Sequence, residues 1–303
     1  MLKDEPLKEL PELGTPLAYS KIEPIRLGEA VTEKKALLVY DGGLILPRRR
    51  VALLAHYDPD GIVDPYVGYF SKRLRKTGYS VVLCSGNDIV MDEKLRELFD
   101  AVIYRNSLGL DFTSWKAAFN LLPSLFEAEE VLLTNDSFFG PIGSLDPLYG
   151  AMNPVKCDFW GVIESPMFRP HAQSFYIVLR ENALAHRAFR DFLDSISLSA
   201  NRKNSVNLET TFTQWLISNG LAGAVRFPLS SYVHPKYSNH TFSTAFLKTG
   251  HFPFVKRKMI FNNPYAALLQ DLPDALSGND YPLSLITNYA LRIGEKLEVK
   301  LVG

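Results

Sequence analysis

The 303-residue chain has little cysteine and no surplus of charge of either sign. Its two cysteines, Cys84 and Cys157, lack the close spacing of a zinc site, and we expect both to be reduced thiols in a cytoplasmic protein. Lysine and arginine together number 33, as do aspartate and glutamate, which leaves no positive field to attract nucleic acid. Nucleic acid is therefore not an expected partner.

Long hydrophobic runs are also missing. No apolar segment approaches the length of a membrane span, and the first residues, MLKDEPLKELPELG, carry too many charges for a secretory signal. Any membrane contact is expected to be peripheral. The basic run Lys256-Arg257-Lys258 could face anionic lipid or neutralise a diphosphate, and a solvated surface is the alternative.

Two glycine motifs are absent as well. No Gly-x-Gly-x-x-Gly follows the first predicted strand, where His56-Tyr57-Asp58-Pro59-Asp60-Gly61 stands instead. This argues against a dinucleotide oxidoreductase and against a phosphate-cradling loop. No Gly-x-Ser-x-Gly occurs either, so a hydrolase has little support.

The chain does contain a regular alternation of short apolar runs and helical patterns. Strands are predicted over residues 51–54, 81–83, 101–104, 131–133, 159–163 and 175–179, and helices over residues 65–77, 183–196, 209–219 and from 112 to near 123. This order predicts an α/β fold with a mainly parallel sheet, an antiparallel extension and a helical C-terminal wrap. We divide the chain into an N-terminal arm and hairpin (1–50), a main domain (51–265) and a C-terminal extension (266–303).

Polar loops follow two of the predicted strands. The first, after residue 104, contains Gly109, which can adopt positive φ, and Asp111, which can cap the next helix. The second, after residue 133, contains Asn135-Asp136-Ser137 and then the turn-forming pair Gly140-Pro141. Because ligands of open α/β sheets bind outside the carboxyl ends of the strands, both loops are expected to face one crevice.

Five sequence blocks in a fixed order carry a resemblance to a known family. The blocks are Arg105-Asn106 through Trp115, Thr134-Asn135-Asp136-Ser137 with Gly140-Pro141, Asp158-Phe159-Trp160-Gly161, His171-Ala172-Gln173-Ser174, and Phe252-Pro253-Phe254-Val255-Lys256-Arg257 followed by Asn263-Pro264. Together they resemble the rhamnan synthesis F family of bacterial glycosyltransferases, and more widely the GT-A glycosyltransferases.

The resemblance implies a GT-A-like, Rossmann-type fold, with residues 51–265 as the glycosyltransferase domain. It also implies transfer of a sugar, rhamnose first of all, with inversion, from a nucleotide diphosphate donor such as dTDP-rhamnose to a growing cell-surface polysaccharide. The acceptor would be a lipid-linked glycan. The protein is accordingly expected in the cytoplasm or peripherally at the inner face of the membrane.

A donor site is expected at the crevice. The residues expected to bind the nucleotide sugar are His56, Tyr57, Arg105, Asn106, Gly109, Asp111, Asn135, Asp136 and Ser137. Asp136 is the one carboxylate of a motif that is Asp-x-Asp in the wider family, so a divalent metal (Mg or Mn) would bind there, and this departure leaves metal dependence open. Alternatively, Asp136 only caps a turn and Asp111 only caps a helix.

The acceptor side is expected to lie further along the chain. Glu209 is the predicted catalytic base, because inverting GT-A enzymes carry an acidic residue at a helix start in the matching place, where the helix dipole would lower its pKa. An ordinary first-turn acid is the alternative. The residues expected to contact the acceptor or sugar are Asp158, Trp160, His171 and Gln173. A core tryptophan and a structural histidine are the alternatives for two of them.

Two other functions compete with this interpretation. One is a non-catalytic carbohydrate-binding or scaffolding protein that kept the fold while its acidic motif decayed. The other is a different nucleotide-dependent enzyme on a doubly wound sheet, which is favoured only if the Glu209 helix lies far from the crevice.

Overall fold

The computed structural model describes residues 11–19, 36–42, 50–105, 111–166, 168–196, 202–228, 252–261, 276 and 279–295. Within them the chain forms a mixed β-sheet with helices packed on its faces. The strands are β1 (Thr15–Pro16), β2 (Leu37–Asp41), β3 (Arg50–His56), β4 (Tyr79–Ser85), β5 (Ala101–Tyr104), β6 (Glu130–Asn135), β7 (Phe138–Phe139), β8 (Phe159–Ser165), β9 (His171–Ala172), β10 (Tyr176–Arg180), β11 (Gly223–Phe227) and β12 (Val255–Lys256).

The main sheet has the strand order β1-β11-β8-β10-β6-β3-β4-β5-β2, with β9 added to the end of β8 and a separate pair formed by β7 and β12. Strands β3, β4, β5 and β6 pair in parallel. β10 pairs antiparallel with both β6 and β8, and β11 is parallel to β8, so β8 and β11 run in the direction of β6. The predicted α/β fold, with a mainly parallel sheet and an antiparallel extension, is confirmed.

Helices connect these strands, and those predicted from residues 65 and 112 are present. They are α1 (Pro65–Lys76), α2 (Glu93–Leu98), α3 (Asp111–Leu121), a 3-10 helix (Pro123–Glu127), α4 (Asp146–Met152), α5 (Glu181–Ala185), α6 (Arg187–Ser195), α7 (Arg202–Ser218), α8 (Arg257–Phe261) and α9 (Ser284–Ile293). Helix α1 begins with a proline, whose missing N–H costs nothing in the first turn, and Gly78 follows its end at φ 89°.

The core lies on both faces of β3, because its successive side chains point in opposite directions. Ala52 and Leu54 belong to a cluster that includes α1, whereas Val51 and Leu53 belong to a second cluster that includes α3. Trp115, in this second cluster, has no exposed surface, and its indole N–H lies within hydrogen-bond distance of the Leu53 and Thr134 carbonyls at 3.2 and 3.3 Å. Trp115 is therefore a core residue.

Several segments differ from the sequence-based expectation, among them strand β11, helices α2 and α4, and the two described next. The helix predicted over residues 183–196 is interrupted at His186, whose backbone is extended (φ −73°, ψ 136°) and whose ring Nδ1 accepts a hydrogen bond from Ala188 N–H at 3.2 Å. This side-chain cap starts a new helix, α6. In the N-terminal arm, β2 is an edge strand of the main sheet, paired antiparallel with β5. Residues 43–49 of the expected hairpin lie outside the described part, and the domain boundaries stay predictions.

Candidate functional site

A pocket of about 230 Å³ opens at the carboxyl edge of the sheet, between the loops that follow β3 and β6. From β3 the chain proceeds through β4 to β5 on one side and then returns to β6 on the other side of β3. The two loops therefore diverge, and such a switch point is where open α/β sheets bind ligands. The pocket is lined by Ala55, His56, Tyr57, Asp111, Ser114, Asn135, Asp136, Ser137 and Arg257.

Asn135, the last residue of β6, holds one wall of the pocket in place. Its amide Nδ2 donates to Asp111 Oδ2 at 2.6 Å, and its Oδ1 accepts from the backbone N–H and the hydroxyl of Ser137 at 3.1 and 2.6 Å. Lys256 Nζ donates to the same hydroxyl oxygen at 3.0 Å. Rotation of the amide would break several of these bonds at once, so the network fixes both the carboxylate and the hydroxyl that line the pocket.

Asp136 places its carboxylate between an arginine and a histidine. Its Oδ1 lies 3.5 Å from Arg257 Nη2, and its Oδ2 lies 3.9 Å from His56 Nε2. Its backbone is held as well, since the N–H donates to the Ala55 carbonyl at 3.2 Å and the carbonyl accepts from the Tyr66 hydroxyl at 3.0 Å. Across the described part of the chain, the buried Nδ1 of His56 has no hydrogen-bond partner. One ring nitrogen of a lining side chain is thus unsatisfied within the described structure.

Arg257 reaches the pocket from the C-terminal part of the chain. It begins α8, and its Nη1 donates to the hydroxyls of Tyr66 and Tyr289 at 2.7 and 2.9 Å. Burial acts to lower the pKa of Arg257, but Asp136 and the two tyrosines together raise that pKa above its usual range. The pocket therefore contains a cation that is charged at every physiological pH and held in one orientation.

Arg292 ties helix α9 to the loop that follows β3. Its guanidinium donates to Asp58 at 2.5 Å and to Asp64 at 2.5 and 2.8 Å, with the arginine side chain only 22% exposed. Tyr289, on the same helix, is the residue that holds Arg257. Helix α9 consequently supports the pocket at two points.

Two groups at the pocket have pKa values close to neutral pH. Burial raises the pKa of Asp111 to about 7, and the Asp136 and Glu209 carboxylates add to the rise. The hydrogen bond from Asn135 acts in the opposite direction and lowers the pKa. Burial lowers the pKa of Lys256 to about 7, although Glu209 and Asp111 act in the opposite direction. Strongly shifted groups in a cleft are typical of functional sites.

Glu209 lies beside the pocket and outside its lining. Helix α7 begins at Arg202, so the expectation that Glu209 starts a helix is wrong, and the carboxylate does not stand at a helix N-terminus. The carboxylate Oε1 accepts from the backbone N–H and the hydroxyl of Ser174 at 3.1 and 3.0 Å. Its charge acts on Asp111 and on Lys256, which places the carboxylate near both.

The donor atoms do not fit a metal held by the protein alone. Within the described ranges, no three His, Cys, Asp or Glu side chains are grouped so that they could hold a metal ion. Asp136 is shared with Arg257, so a divalent cation on this carboxylate would sit beside a fixed positive charge. Such a cation would have to take most of its ligands from phosphate and water.

The pocket brings together most of the residues predicted to bind the donor. Those in the lining are His56, Tyr57, Asp111, Asn135, Asp136 and Ser137. Arg105 is buried directly after β5, where its backbone N–H donates to the Ser85 carbonyl at 3.0 Å, and it is not a lining residue. Asn106 and Gly109 lie outside the described residues. The binding role of each of these residues stays a prediction.

Two of the residues expected to contact the acceptor are placed elsewhere. Trp160 has no exposed surface and packs edge-on against Tyr149 at 5.5 Å between ring centroids, so its ring cannot stack on a sugar in this structure. Asp158 precedes β8 and therefore lies at the edge of the sheet opposite the pocket. There its carboxylate accepts from Ala222 N–H at 2.7 Å and from Asn182 Nδ2 at 3.2 Å, which is a structural role.

The other two acceptor candidates lie at the carboxyl edge of the sheet but outside the pocket lining. His171 begins β9, next to the end of β8, and its Nδ1 contacts the Arg169 carbonyl at 2.8 Å. Gln173 is 8% exposed, and its backbone N–H donates to the Ile163 carbonyl. Ser174, the next residue, holds Glu209. The segment is therefore connected to the candidate base, and its acceptor role stays a prediction.

Sequence reasoning missed several contributors to the pocket. Ser114 lies one helical turn after Asp111, a spacing that places both on the same face of α3, so this signal was available. Tyr66 and Tyr289 hold Arg257 from two distant helices, and no local pattern marks them. For the described residues, no helix combines the length and apolar character needed to cross a membrane.

Comparison with known proteins agrees with the resemblance. The model of the family described as rhamnan synthesis protein F matches residues 81–302, which include every lining residue after β4. Two curated relatives, both named virulence protein VirA and both from Vibrio anguillarum, one of them from strain ATCC 68554 / 775, are 24% identical over 271 residues, covering 77% of this chain and 87% of theirs. Because the family match covers more than half of its length, the chain belongs to the rhamnan synthesis protein F family.

Proposed function

We infer that this chain is a glycosyltransferase that moves a sugar from a nucleotide diphosphate to a growing cell-surface polysaccharide. The observation that carries the proposal is the polar pocket at the switch point between β3 and β6, in a member of a rhamnan synthesis family. Rhamnose as the sugar rests on the family description, and dTDP as the nucleotide rests on the resemblance of the sequence blocks. A lipid-linked glycan acceptor, reached from the cytoplasm with peripheral membrane contact, belongs to the same proposal.

The pocket suits a charged donor. Arg257 offers a planar fork of N–H donors, which matches the oxygens of a phosphate better than a lysine does. The Asn135–Ser137 segment adds a fixed hydroxyl, and His56 adds an unpaired ring nitrogen within the described structure. Asp111 and Asp136 accept hydrogen bonds, as ribose and sugar hydroxyls require.

Glu209 remains the first candidate for the base. In an inverting transfer the acceptor oxygen attacks the anomeric carbon, its proton passes to a base, and the diphosphate leaves with the electrons of the broken C–O bond. Glu209 is near enough to Asp111 to raise its pKa, so helix α7 is not remote from the crevice. This position supports the glycosyltransferase over a different nucleotide-dependent enzyme, which a remote helix would have favoured.

Asp111 is the second candidate for the base. It lines the pocket directly, and a carboxyl group whose pKa is about 7 can accept a proton near neutral pH. Asp158 and Trp160 no longer compete for chemistry, because one lies at the opposite edge of the sheet and the other is buried.

A binding protein without catalysis is the second candidate function. The observation in its favour is that Glu209 Oε1 already accepts two hydrogen bonds from Ser174, as a purely structural carboxylate would. The two functions differ in turnover, because both predict binding of a nucleotide sugar and only the enzyme cleaves it.

The test combines binding with turnover on one sample. A thermal-shift panel of dTDP, UDP and GDP with their sugars identifies the nucleotide, since a ligand of the folded state raises the melting temperature. The sugar nucleotide that binds is then incubated with the protein, and release of free nucleoside diphosphate is followed by chromatography. Binding with slow hydrolysis supports the enzyme. Binding without any release, also with added acceptor glycan, supports the binding protein, and no binding at all rejects both.

A further inference from the structure

We propose that this pocket neutralises the diphosphate of its nucleotide ligand with Arg257 and Lys256 and requires no divalent metal ion. The proposal rests on the proposed function, because it concerns how the same pocket receives a nucleoside diphosphate. Two observations carry it: the positions of two side-chain cations, and the side chains that surround Asp136.

Arg257 lies beside the carboxylate to which a metal on Asp136 would bind. Its Nη2 is 3.5 Å from Asp136 Oδ1, while its Nη1 is bound to two tyrosine hydroxyls. A divalent ion bound to this carboxylate would stand within a few ångströms of the guanidinium, and like charges at that distance repel strongly when they are partly buried. The 3.5 Å separation is longer than a good charge-assisted hydrogen bond, so a phosphate oxygen can share the guanidinium with the carboxylate.

Lys256 adds the second cation in its protonated form, which a phosphate dianion nearby favours over the neutral amine that a pKa of about 7 otherwise allows. Its ammonium donates to Ser137 Oγ, one hydrogen bond behind the pocket lining, and lies 3.8 Å from the centre of the Phe175 ring. The aromatic face and the hydroxyl hold the charge in place. A partly buried charge is little screened by water and salt, so the ammonium can act on a phosphate across the hydroxyl.

The acidic side chains of the pocket offer too few ligands to bind a divalent metal ion in the presence of Arg257. Asp111 is bound to Asn135 and Glu209 is bound to Ser174, while His56 Nε2 lies 3.9 Å from Asp136 Oδ2. These groups are not clustered as metal ligands in the described part of the chain. Asp136 is then a positioning residue, because its carboxylate orients the arginine that meets the diphosphate.

The experiment is isothermal titration of the full chain with dTDP, UDP and GDP, in excess EDTA and again with magnesium or manganese. The expected result is that at least one nucleotide binds with the same Kd in EDTA as with either metal. Arg257→Gln is expected to weaken that binding about tenfold or more, the effect of losing a charged hydrogen-bond donor, and Lys256→Gln to weaken it less. The matched control is Arg187→Gln, which removes the same charge from a side chain that is 89% exposed and far along the chain, and should leave Kd unchanged.

Each outcome decides a separate point. Binding that appears only with magnesium or manganese overturns the metal-free proposal and leaves the proposed function standing. Binding in EDTA that both substitutions leave intact also overturns it, since the cations would then be elsewhere. If no nucleotide binds under either condition, the proposed function itself fails. Melting curves show whether Arg257→Gln folds; if it does not, the EDTA comparison and Lys256→Gln still decide.

Discussion

The substitution Glu209→Gln separates the chemistry of the carboxylate from its structural contacts. A glutamine keeps the side-chain length and the oxygen that accepts from the Ser174 N–H and hydroxyl, so both hydrogen bonds can persist. What disappears is the negative charge and the ability to take a proton. Two bonds to a charged acceptor become bonds to a neutral one, and we expect the free energy of unfolding to fall by about 1 kcal/mol.

The expected loss of activity is much larger. General-base catalysis contributes about 10²–10⁴ in rate, so turnover should fall at least about a hundredfold while nucleotide-sugar affinity stays near normal. The pKa of Asp111 should fall at the same time, because the Glu209 charge contributes to raising it. A shift in the pH profile of any residual activity would report this change, which a purely structural glutamate on a distant surface would not cause.

The assay measures release of nucleoside diphosphate with donor and acceptor present, beside titration of the donor on the same sample. Ser174→Ala is the matched control, since it removes the hydroxyl that holds Glu209 but keeps the carboxylate, and it should lower turnover far less than Glu209→Gln. Near-normal turnover in Glu209→Gln, with the protein folded, would end the candidacy of Glu209. Asp111, the carboxylate in the pocket lining, would then be tested as the base.

Three further predictions concern stability. Trp160→Ala should lower the free energy of unfolding by about 3–5 kcal/mol, because it leaves a cavity in the core. Phe168→Ala, which removes a ring that is 78% exposed, should change it by about 0.5 kcal/mol or less in denaturant titration. Equal effects would contradict the burial of Trp160. Arg292→Ala should cost about 1–3 kcal/mol, because Asp58 and Asp64 lose their shared cation, and the exposed Arg187→Ala should cost about 0.5 kcal/mol or less. The pKa of Asp111 is raised from 3.8 to about 7, so the folded state binds an extra proton and stability is lost as pH rises from about 4 to 7. The loss is on the order of 4 kcal/mol across that range. Asp111→Asn should flatten this slope in melts, and an unchanged slope would refute the shift.

The sheet and most of the donor wall could be predicted because their signals are local. Buried parallel strands are continuous apolar runs, so β3, β5 and β6 are visible as such, and the polar residues that follow them must lie at one edge. Helix boundaries were less secure. The polar residues before Glu209 extend α7 without an apolar period, and the His186 ring caps a new helix where the apolar pattern continues.

The remaining parts of the site depend on long-range contacts that no local pattern contains. Trp160 is in a sequence block whose aromatic ring could serve a core or a sugar, and only the packing against Tyr149 decides between them. Arg257 belongs to a basic run that could equally lie on the protein surface. Its guanidinium is held in the pocket by hydrogen bonds to Tyr66 and Tyr289, which are 191 and 32 residues away along the chain. Charge alone could not predict that only part of the run enters the site.

The support that α9 gives the pocket also sets an order of events during synthesis. A nascent chain that has emerged only as far as residue 228 contains β3, β6 and the carboxylates of Asp58, Asp64 and Asp136. It does not yet contain the two arginines that neutralise them, which arrive with α8 and α9. Until then Asp58 and Asp64 lack their shared cation, and their like charges oppose close approach. The helices that complete the pocket are therefore synthesised after the strands of the main sheet. We expect a chain truncated before α9 to keep most of its sheet and to lose the geometry of the pocket.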